Sequence, residues 1–293
     1  MKLISIIGCG EVGSEIITLL LMNPNYSLNI VDPGNISGRL LDLCHVNGIY
    51  NNSIHINDHK LLNESDVIIY TAGYCNKQNE SRNTVAKKNK ELVQAVFKGI
   101  SPKEDCLIIS VSNPVELSAL WIDESINSNC KIIGTGTSLD SYRLNYMVKE
   151  QLNINDSSFF TPVIGEHGDF MTPIWSVIKD AEKLDQEKIL NELKGSAFKI
   201  RETEKATKFG IAHTTIHILN SYFNSSRTLI PVSVKINDEL KNNSGLKHSI
   251  YVSLLCDIGN MKIDISDNFK LNQKEQVNLV QACQHIEEVY INS

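Results

Sequence analysis

The chain opens with an apolar run that ends in a glycine-rich turn, Gly8-Cys9-Gly10-Glu11-Val12-Gly13. The run itself, Lys2–Ile7, is typical of a buried strand, and the stretch after the turn, Glu11–Met22, has the apolar spacing of a helix. In this setting glycines allow a tight turn and a close approach of phosphate to the backbone, while the helix amino terminus offers free N–H groups. Asp32 ends the next strand about 20 residues further on, where a carboxylate binds ribose hydroxyls and repels a 2′-phosphate. The stretch therefore predicts a site for NAD rather than NADP.

The first half of the chain alternates short apolar runs with amphipathic stretches, a pattern typical of a parallel sheet covered by helices. The predicted strands are Lys2–Ile7, Ser27–Val31, Ser53–Ile56, Asp66–Thr71, Cys106–Val111 and Lys131–Ile133. The predicted helices are Glu11–Met22, Gly38–Val46, Thr84–Gly99 and Val115–Ile126. Strands joined in this way by helical crossovers predict an α/β fold with a doubly wound (Rossmann) parallel sheet.

After about residue 137 the pattern changes to a mixture of helices and strands. The predicted elements are a helix at Leu139–Gln151, a strand at Phe159–Ile164, a long helical region from Asp185 to Tyr222, strands at Ile230–Ile236 and Ile250–Leu255, and a last helix at Gln273–Tyr290. We therefore expect an NAD-binding Rossmann domain at residues 1–137, followed by an α+β substrate domain at residues 138–293.

Composition excludes several classes of function. A net charge of −6 and a pI near 5.8 argue against binding to nucleic acid or to an anionic membrane. The seven cysteines form no C-x-x-C pair, which indicates a reduced compartment without a disulfide framework or a zinc site. No apolar segment approaches the length of about 20 residues that a membrane span needs, and no targeting segment is convincing. We expect a cytoplasmic protein.

Candidate catalytic residues lie in two stretches of the second half. His167 stands between Glu166 and Gly168 just after a predicted strand, an exposed position suited to proton transfer near neutral pH. Asp140 and Arg143 are three residues apart at the start of a predicted helix and so share one face. The aspartate could orient an imidazole and the arginine could bind a carboxylate, although a capped helix with a local ion pair gives the same pattern.

Taken together, six segments resemble the lactate/malate dehydrogenase family, and within it the bacterial L-lactate and L-2-hydroxyisocaproate dehydrogenases. These segments are Gly8–Gly13, Thr71–Gly73, Glu80–Arg82, Val111–Val115, Leu139–Arg143 and Gly165–Asp169, and their order and spacing agree with the family over almost the whole chain. The resemblance implies an NAD-dependent oxidoreductase that transfers a hydride between nicotinamide and a 2-hydroxy or 2-keto acid, with a place in fermentation or glycolysis.

The resemblance also implies roles for individual residues. His167 would be the general acid and base, Asp140 would orient it, and Arg143 would bind the substrate carboxylate. Arg82 would polarise the carbonyl from a loop, Gly73–Arg82, that closes over the substrate. Asn113 and Thr207 would line the substrate pocket. The implied cofactor-binding residues are Gly8, Gly10, Val12, Gly13, Asp32, Thr71, Ala72, Gly73 and Asn113.

Substrate choice is implied to depend on Asn76, six residues before the loop arginine. Malate enzymes of the family have arginine there and lactate enzymes have glutamine. A neutral asparagine cannot balance the second carboxylate of oxaloacetate, so malate is disfavoured unless a one-residue slip presents Lys77 instead. We therefore expect pyruvate and lactate as the substrates. Because asparagine is one methylene shorter than glutamine and leaves more room, longer 2-keto acids such as 2-ketoisocaproate are the alternative. A non-catalytic NAD-binding scaffold is a further alternative.

The resemblance also implies an oligomeric state and a mode of regulation. The family forms homodimers and homotetramers, so we expect a homo-oligomer. Some bacterial lactate dehydrogenases bind fructose 1,6-bisphosphate through two cationic side chains, and here those positions are Asn145 and Phe160. A pocket without both cations should not hold a bisphosphate, so no such activation is expected. His213 and His217 are one helical turn apart but lack further ligands, so no metal site is predicted.

Overall fold

The computed structural model describes residues 1–74, 82–267 and 270–293. The chain divides into two compact units. The first unit consists of Met1–Gly134, Lys205–Ile216 and Ser293, and the second of Thr135–Glu204 and His217–Asn292.

The first unit is built on a parallel sheet with the strand order β3-β2-β1-β4-β5-β6. Its strands are β1 (Lys2–Ile7), β2 (Tyr26–Val31), β3 (Ser53–Ile56), β4 (Val67–Tyr70), β5 (Leu107–Ser110) and β6 (Lys131–Gly134). Its helices in this part of the chain are α1 (Glu11–Leu21), α2 (Ser37–Tyr50), α3 (Leu61–Glu64), α4 (Arg82–Phe97) and α5 (Val115–Ser125). The predicted Rossmann fold is thereby confirmed.

The sequence of the central strands explains why they lie in the middle of this sheet. All residues of β4 and β5 are buried, as expected for apolar strands covered by helices on both faces, whereas β3 at the sheet edge is largely exposed. Because the order of strands reverses between β1 and β4, a crevice forms at their carboxyl ends, which is where open α/β sheets bind ligands. The turn that starts at Gly8 follows β1 directly and therefore lies at this crevice.

The second unit combines helices with an antiparallel sheet in the order β9-β10-β7-β8, with β11 paired to β10. Its elements are α6 (Ser138–Leu152), β7 (Val163–Gly165), β8 (Met171–Pro173), two short 3₁₀ turns (Trp175–Val177 and Ala181–Lys183), α7 (Gln186–Arg201), β9 (Thr228–Lys235), α9 (Asp238–Asn243), β10 (Tyr251–Gly259), β11 (Lys262–Ile265) and α10 (Gln273–Ile291). Helix α8 (Lys208–Phe223) follows α7 in the chain.

The amino terminus of α6 is fixed to β7 by both polar and apolar contacts. Val163 donates its N–H to Ser141 Oγ at 2.9 Å, and Thr137 Oγ1 donates to the Val163 carbonyl. Leu144 and Val148 of α6 pack in one apolar cluster with Val163. These contacts place the first turn of α6 beside β7, the short strand that leads to His167.

Several sequence predictions for this unit need correction. The strand predicted at Phe159–Ile164 is present only as Val163–Gly165, and Pro162 in the lost part has no N–H to donate to a ladder. The helical region predicted from Asp185 to Tyr222 is interrupted between α7 and α8. The short elements α3, α9, β8 and β11 were not predicted, because each has too few residues to show an apolar period.

None of the helices in the described ranges is both long enough and apolar enough to cross a membrane.

Asp66 ties the start of β1 to the start of β4 and provides a test of stability. Its carboxylate accepts the Leu3 N–H at 2.8 Å and pairs with Lys103 at 2.8 Å and Lys2 at 3.4 Å. Burial by itself raises the pKa of this carboxyl, but the Lys103 and Leu3 hydrogen bonds together with the nearby lysine charges lower the pKa below its usual value. The charged form therefore stabilises the folded state at neutral pH, and this contribution is lost as pH falls through the lowered pKa.

We predict that Asp66→Asn lowers the free energy of unfolding at neutral pH by about 1 kcal/mol, the usual size of a partly buried hydrogen-bonded charge. The difference from the parent protein should shrink as pH falls below about 4. Urea unfolding followed by circular dichroism at several pH values measures both quantities. Glu64→Gln removes the same charge from an exposed neighbour and should have little effect. A pH-independent loss in Asp66→Asn would contradict the electrostatic explanation.

Candidate active site

The turn after β1 has glycines where neighbouring backbone leaves no room for a side chain. Gly8 has a φ of 99°, and a Cβ on it would lie 2.6 Å from Ala72 N and 2.9 Å from Thr71 Oγ1. A Cβ on Gly13 would lie 2.1 Å from the Gly8 carbonyl oxygen. Thr71 Oγ1 donates to that same oxygen at 2.8 Å. The structure thus brings together Gly8, Gly13, Thr71 and Ala72, four of the residues that the resemblance implies for cofactor binding.

Gly10 serves a different purpose from these two glycines. It stands at the N-cap of α1, where no side chain caps the helix, and a Cβ on it would meet nothing within 4 Å. Open space therefore lies over the first turn of α1, which includes Val12 and ends at Gly13. Free N–H groups and the positive end of the helix dipole make such a place suited to a phosphate group.

Asp32 is held in place by backbone groups on both sides. Its Oδ2 accepts the N–H of Cys9 at 2.6 Å, and its Oδ1 accepts the N–H of Gly34 at 2.8 Å. Each carboxylate oxygen has further acceptor capacity, so two ribose hydroxyls can still bind. The side chain is only partly buried, which leaves it accessible from the crevice.

Asn89 is a buried residue of α4 that the sequence did not reveal as part of the site. Its Oδ1 accepts the N–H of Tyr74 at 2.7 Å, and its Nδ2 donates to the carbonyl of Asn113 at 3.0 Å. Ser112 Oγ also donates to the Ala72 carbonyl at 2.6 Å. These bonds hold the segment after β4 against the segment after β5, and so bring Gly73 near Asn113.

In the second unit, Asp140 joins the candidate proton-transfer and carboxylate-binding residues. Its Oδ2 lies 2.5 Å from His167 Nδ1, and its Oδ1 lies 3.1 Å from Arg143 Nη1. Only 1% of the Asp140 side chain is exposed, against 13% for Arg143 and 25% for His167. The carboxylate is therefore enclosed while both of its partners remain accessible.

The protonation state of this group follows from its surroundings. Burial raises the pKa of Asp140, but His167 and Arg143 more than compensate and hold the pKa below its ordinary value. An ionised carboxylate only accepts hydrogen bonds, so His167 Nδ1 carries the proton of this bond. The bond to Asp140 occupies Nδ1 of His167, and Arg143 has further N–H donors for an anion besides the one that contacts Asp140.

The turn that carries His167 is braced from α10 by a residue that the sequence gave no reason to select. Glu166 lies 3.2 Å from His285 Nδ1, and its carboxylate accepts the Phe170 N–H at 3.3 Å. The His285 ring packs on Phe170 with ring centroids 4.5 Å apart. Burial raises the pKa of Glu166, with His285 opposing that shift. The turn is thereby held by Glu166 and Phe170 together with His285 from α10.

The remaining predicted site residues are not joined to these two groups by any described contact. Asn76 and the Arg82 side chain lie outside the described residues. Thr207 is half-buried and directly precedes α8, in the segment that belongs to the first unit. Within the described ranges, no group of histidine, cysteine and acidic residues could hold a metal ion.

Comparison with known families gives a match over nearly the whole chain. Residues 2–134 match the lactate/malate dehydrogenase NAD-binding domain, and residues 137–289 match the lactate/malate dehydrogenase α/β carboxy-terminal domain. The chain belongs to the lactate/malate dehydrogenase family. It is therefore an NAD-dependent oxidoreductase, and the open, glycine-lined turn over α1 fits that cofactor.

Lactate dehydrogenases and malate dehydrogenases are both among the known proteins to which this chain is similar. The L-lactate dehydrogenase C chain of Sus scrofa is 28% identical, with 92% of this chain and 86% of the relative covered. L-lactate dehydrogenase of Clostridium botulinum is 27% identical over 99% of this chain and 96% of the relative. In fold, the chain matches a lactate dehydrogenase from a Medee basin deep-sea metagenome library (TM-score 0.85, 24% identity, 99% and 98% coverage) and the malate dehydrogenase of Archaeoglobus fulgidus (TM-score 0.83, 23% identity, 98% and 98% coverage).

The two kinds of glycine in the cofactor turn should respond differently to substitution. We predict that Gly10→Ala unfolds within about 1 kcal/mol of the parent, because its Cβ enters open space, but binds NADH at least about 10-fold more weakly. Gly8→Ala should instead destabilise the fold, because its Cβ meets backbone and its φ is positive. Thermal unfolding and fluorescence titration with NADH measure the two effects. Unchanged NADH affinity in Gly10→Ala would contradict this placement of the cofactor.

Proposed function

We propose that the chain interconverts pyruvate and L-lactate, with His167 as the general acid and base. The observation that carries the proposal is the enclosed Asp140 carboxylate shared by His167 and Arg143. It puts a proton donor and a carboxylate-binding cation on one anchor, which is what the reduction of a 2-keto acid requires. The relatives from Sus scrofa and Clostridium botulinum, both named L-lactate dehydrogenases, support this choice of substrate.

In the proposed reaction, NADH held at the turn after β1 would supply the hydride that reduces the carbonyl carbon of the keto acid. His167 gives the proton from Nε2 to the carbonyl oxygen, and takes it back in the reverse direction. The ionised Asp140 holds the ring through Nδ1 and stabilises the charged imidazolium, as a carboxylate does when paired with a catalytic histidine. Glu166 keeps the backbone of this turn in place through its bonds to neighbouring residues.

Arg143 is proposed to bind the substrate carboxylate. A guanidinium has five N–H donors, and the bond to Asp140 uses one of them, so a two-pronged contact with a carboxylate remains available. Arg82 is proposed to polarise the substrate carbonyl, and Asn113 and Thr207 to line the pocket. These roles rest on the resemblance to the family.

We propose that the NAD-binding domain spans residues 1–137 and the substrate domain residues 138–293. The proposed cofactor site lies in the first of these domains. The helix start at Gly10 and Val12 would receive the pyrophosphate, and Asp32 would bind the adenosine ribose. The complete proposed set is Gly8, Gly10, Val12, Gly13, Asp32, Thr71, Ala72, Gly73 and Asn113. Homo-oligomerisation and the lack of activation by fructose 1,6-bisphosphate stay predictions.

Malate is disfavoured as a substrate because Asn76, the residue at the proposed selectivity position, carries no charge. Oxaloacetate carries a second carboxylate, and a buried anion without a partner costs several kcal/mol. Asn76 is neutral and cannot pair with that group. Asn76 lies outside the described residues, and a comparison of kcat/KM for the keto acids tests the preference that its neutral side chain predicts.

A groove next to Arg143 supports longer 2-keto acids as a second candidate. The groove has a volume of about 570 Å³ and lies between α6 and α7. Leu139, Met147 and Ile200 contribute apolar walls, and Arg143 lies among the lining residues. An aliphatic side chain attached to a carboxylate on Arg143 would bury apolar surface there, a benefit that pyruvate with its single methyl group cannot gain.

The decisive experiment compares kcat/KM for pyruvate, 2-ketoisocaproate and oxaloacetate under one set of conditions, followed by NADH absorbance. The proposal expects pyruvate to be used best. A higher value for 2-ketoisocaproate would favour the second candidate, and a higher value for oxaloacetate would overturn the substrate assignment. NADH binding without turnover of any of the three would indicate a non-catalytic scaffold.

We predict that His167→Asn reduces the rate of keto-acid reduction by at least about 100-fold, the usual size of general acid catalysis. NADH affinity should remain unchanged, because His167 is proposed to act on the keto acid and not on the cofactor. Single-turnover kinetics with saturating NADH isolate the chemical step. His213→Asn replaces an exposed histidine of α8 and should keep parental activity. A His167→Asn protein with nearly parental turnover would contradict the assignment.

Asp140→Asn provides a pH-dependent test of the same arrangement. Reduction consumes the His167 proton, so its rate should fall as pH rises and the imidazole becomes neutral. Without the Asp140 charge the imidazolium loses its stabilising partner, and the fall should begin at lower pH. The pH dependence of kcat/KM in the reduction direction measures this displacement. Glu150→Gln removes a charge from the exposed face of the same helix and should leave the profile in place.

A further inference from the structure

A cluster of charged side chains surrounds the start of α1. Glu11, the first residue of the helix, has its Oε1 2.9 Å from Arg39 Nη2 on α2 and its Oε2 3.7 Å from Lys208 Nζ, the first residue of α8. The side chains of Glu11 and Arg39 are each 35% exposed, so a bound molecule can reach them. A carboxylate at this position is notable because the neighbouring N–H groups face the place proposed for a pyrophosphate.

Arg39 and Asp32 are attached to the same residue of the turn. Cys9 donates its N–H to Asp32 Oδ2 at 2.6 Å, and its carbonyl accepts from Arg39 Nη1 at 2.5 Å. The guanidinium is therefore held by the same residue as the carboxylate that is proposed to bind the adenosine ribose. An arginine near the ribose is the feature that accommodates the 2′-phosphate in NADP-binding proteins of this fold.

We propose that Glu11 is a second selectivity residue for NAD over NADP, because it engages Arg39 and withholds the guanidinium from a 2′-phosphate. Asp32 repels that phosphate directly, whereas Glu11 acts by neutralising the nearby cation that would attract it. Cys9 accepts from Nη1 of Arg39 and Glu11 pairs with Nη2, so the Glu11 carboxylate offsets the charge that the guanidinium presents to a ligand. The cluster of Glu11, Arg39 and Lys208 is thus set for a ribose with two hydroxyl groups.

The test is a double-mutant cycle with affinities as the readout. Dissociation constants of NADH and NADPH are measured by fluorescence titration at fixed ionic strength for the parent, Glu11→Gln, Arg39→Gln and the double variant. In Glu11→Gln the NADPH affinity should rise about 10-fold relative to that of NADH, as expected for one released charge near a protein surface. The double variant should lose this gain, and Arg39→Gln alone should change the ratio by less than about 2-fold.

Glu15→Gln provides the matched control, since it removes the same charge one turn further along α1 and should leave the ratio unchanged. An unchanged ratio in Glu11→Gln would overturn the proposal and leave the cluster as a link between helices. A gain that persists without Arg39, or that appears in Glu15→Gln, would also overturn it, because the effect would then be general electrostatics. A marked loss of NADPH affinity in Arg39→Gln alone would show that Glu11 does not engage the guanidinium.

This inference rests on the proposed role of Asp32 at the ribose but not on the identity of the keto acid. The titrations need no turnover, so failure of the proposed pyruvate reaction would leave them interpretable. Thermal unfolding of each variant should accompany them. A variant that binds NADH with parental affinity is folded at the site, and its NADPH affinity can then be compared directly.

Discussion

The second unit depends on one buried carboxylate that serves two cationic partners on different elements. Asp140 lies in the first turn of α6, whereas His167 follows β7, and the contact of Ser141 with Val163 holds these elements together. A buried charge without partners costs several kcal/mol, so the fold and the site impose the same requirement. The orientation of the imidazole and that of the guanidinium are consequently linked, and a change to any of the three groups alters the surroundings of the others.

The cofactor crevice depends on the absence of side chains at particular positions, and not on a buried charge. Gly8 and Gly13 allow the turn after β1 to approach the segment after β4, and Gly10 leaves the helix start open. Backbone N–H groups then provide the polar surface, with Asp32 anchored by them. The two regions therefore respond to different substitutions. A larger side chain at the glycines disrupts the crevice, whereas loss of the Asp140 charge disrupts the group formed with His167 and Arg143.

Local sequence predicted the features that have a local cause. The glycine-rich turn, the apolar strands and the spacing of Asp140 and Arg143 are each visible within one segment, and the Rossmann fold and the pairing of these two residues are present in the structure. The strand expected at Phe159–Ile164 was overextended, because apolar composition alone does not show that Pro162 lacks a donor. The roles of Asn76 and Arg82 stay predictions.

Contacts between residues far apart in the chain could not be predicted from local sequence patterns. His285 on α10 braces Glu166, and Asn89 on α4 joins two segments of the crevice, but neither residue stands in a distinctive local pattern. A histidine or asparagine within a polar helix usually faces solvent, and only the packing of the whole unit shows that these two do not. The ion pair between Glu11 and Arg39 likewise joins residues 28 positions apart, so no local pattern indicates it.

The burial of Cys9 has a practical consequence for the chemistry of thiols in this protein. Burial raises the pKa of Cys9 to about 11, with Arg39 opposing part of the shift, and the side chain is fully enclosed. Since the thiolate is the reactive form, Cys9 should resist both oxidants and alkylating reagents. Cys44, on the same helix as Arg39, is exposed. A thiol-directed dye can therefore be attached to α2 as a reporter of events at the cofactor crevice, while the turn that forms the crevice stays chemically intact.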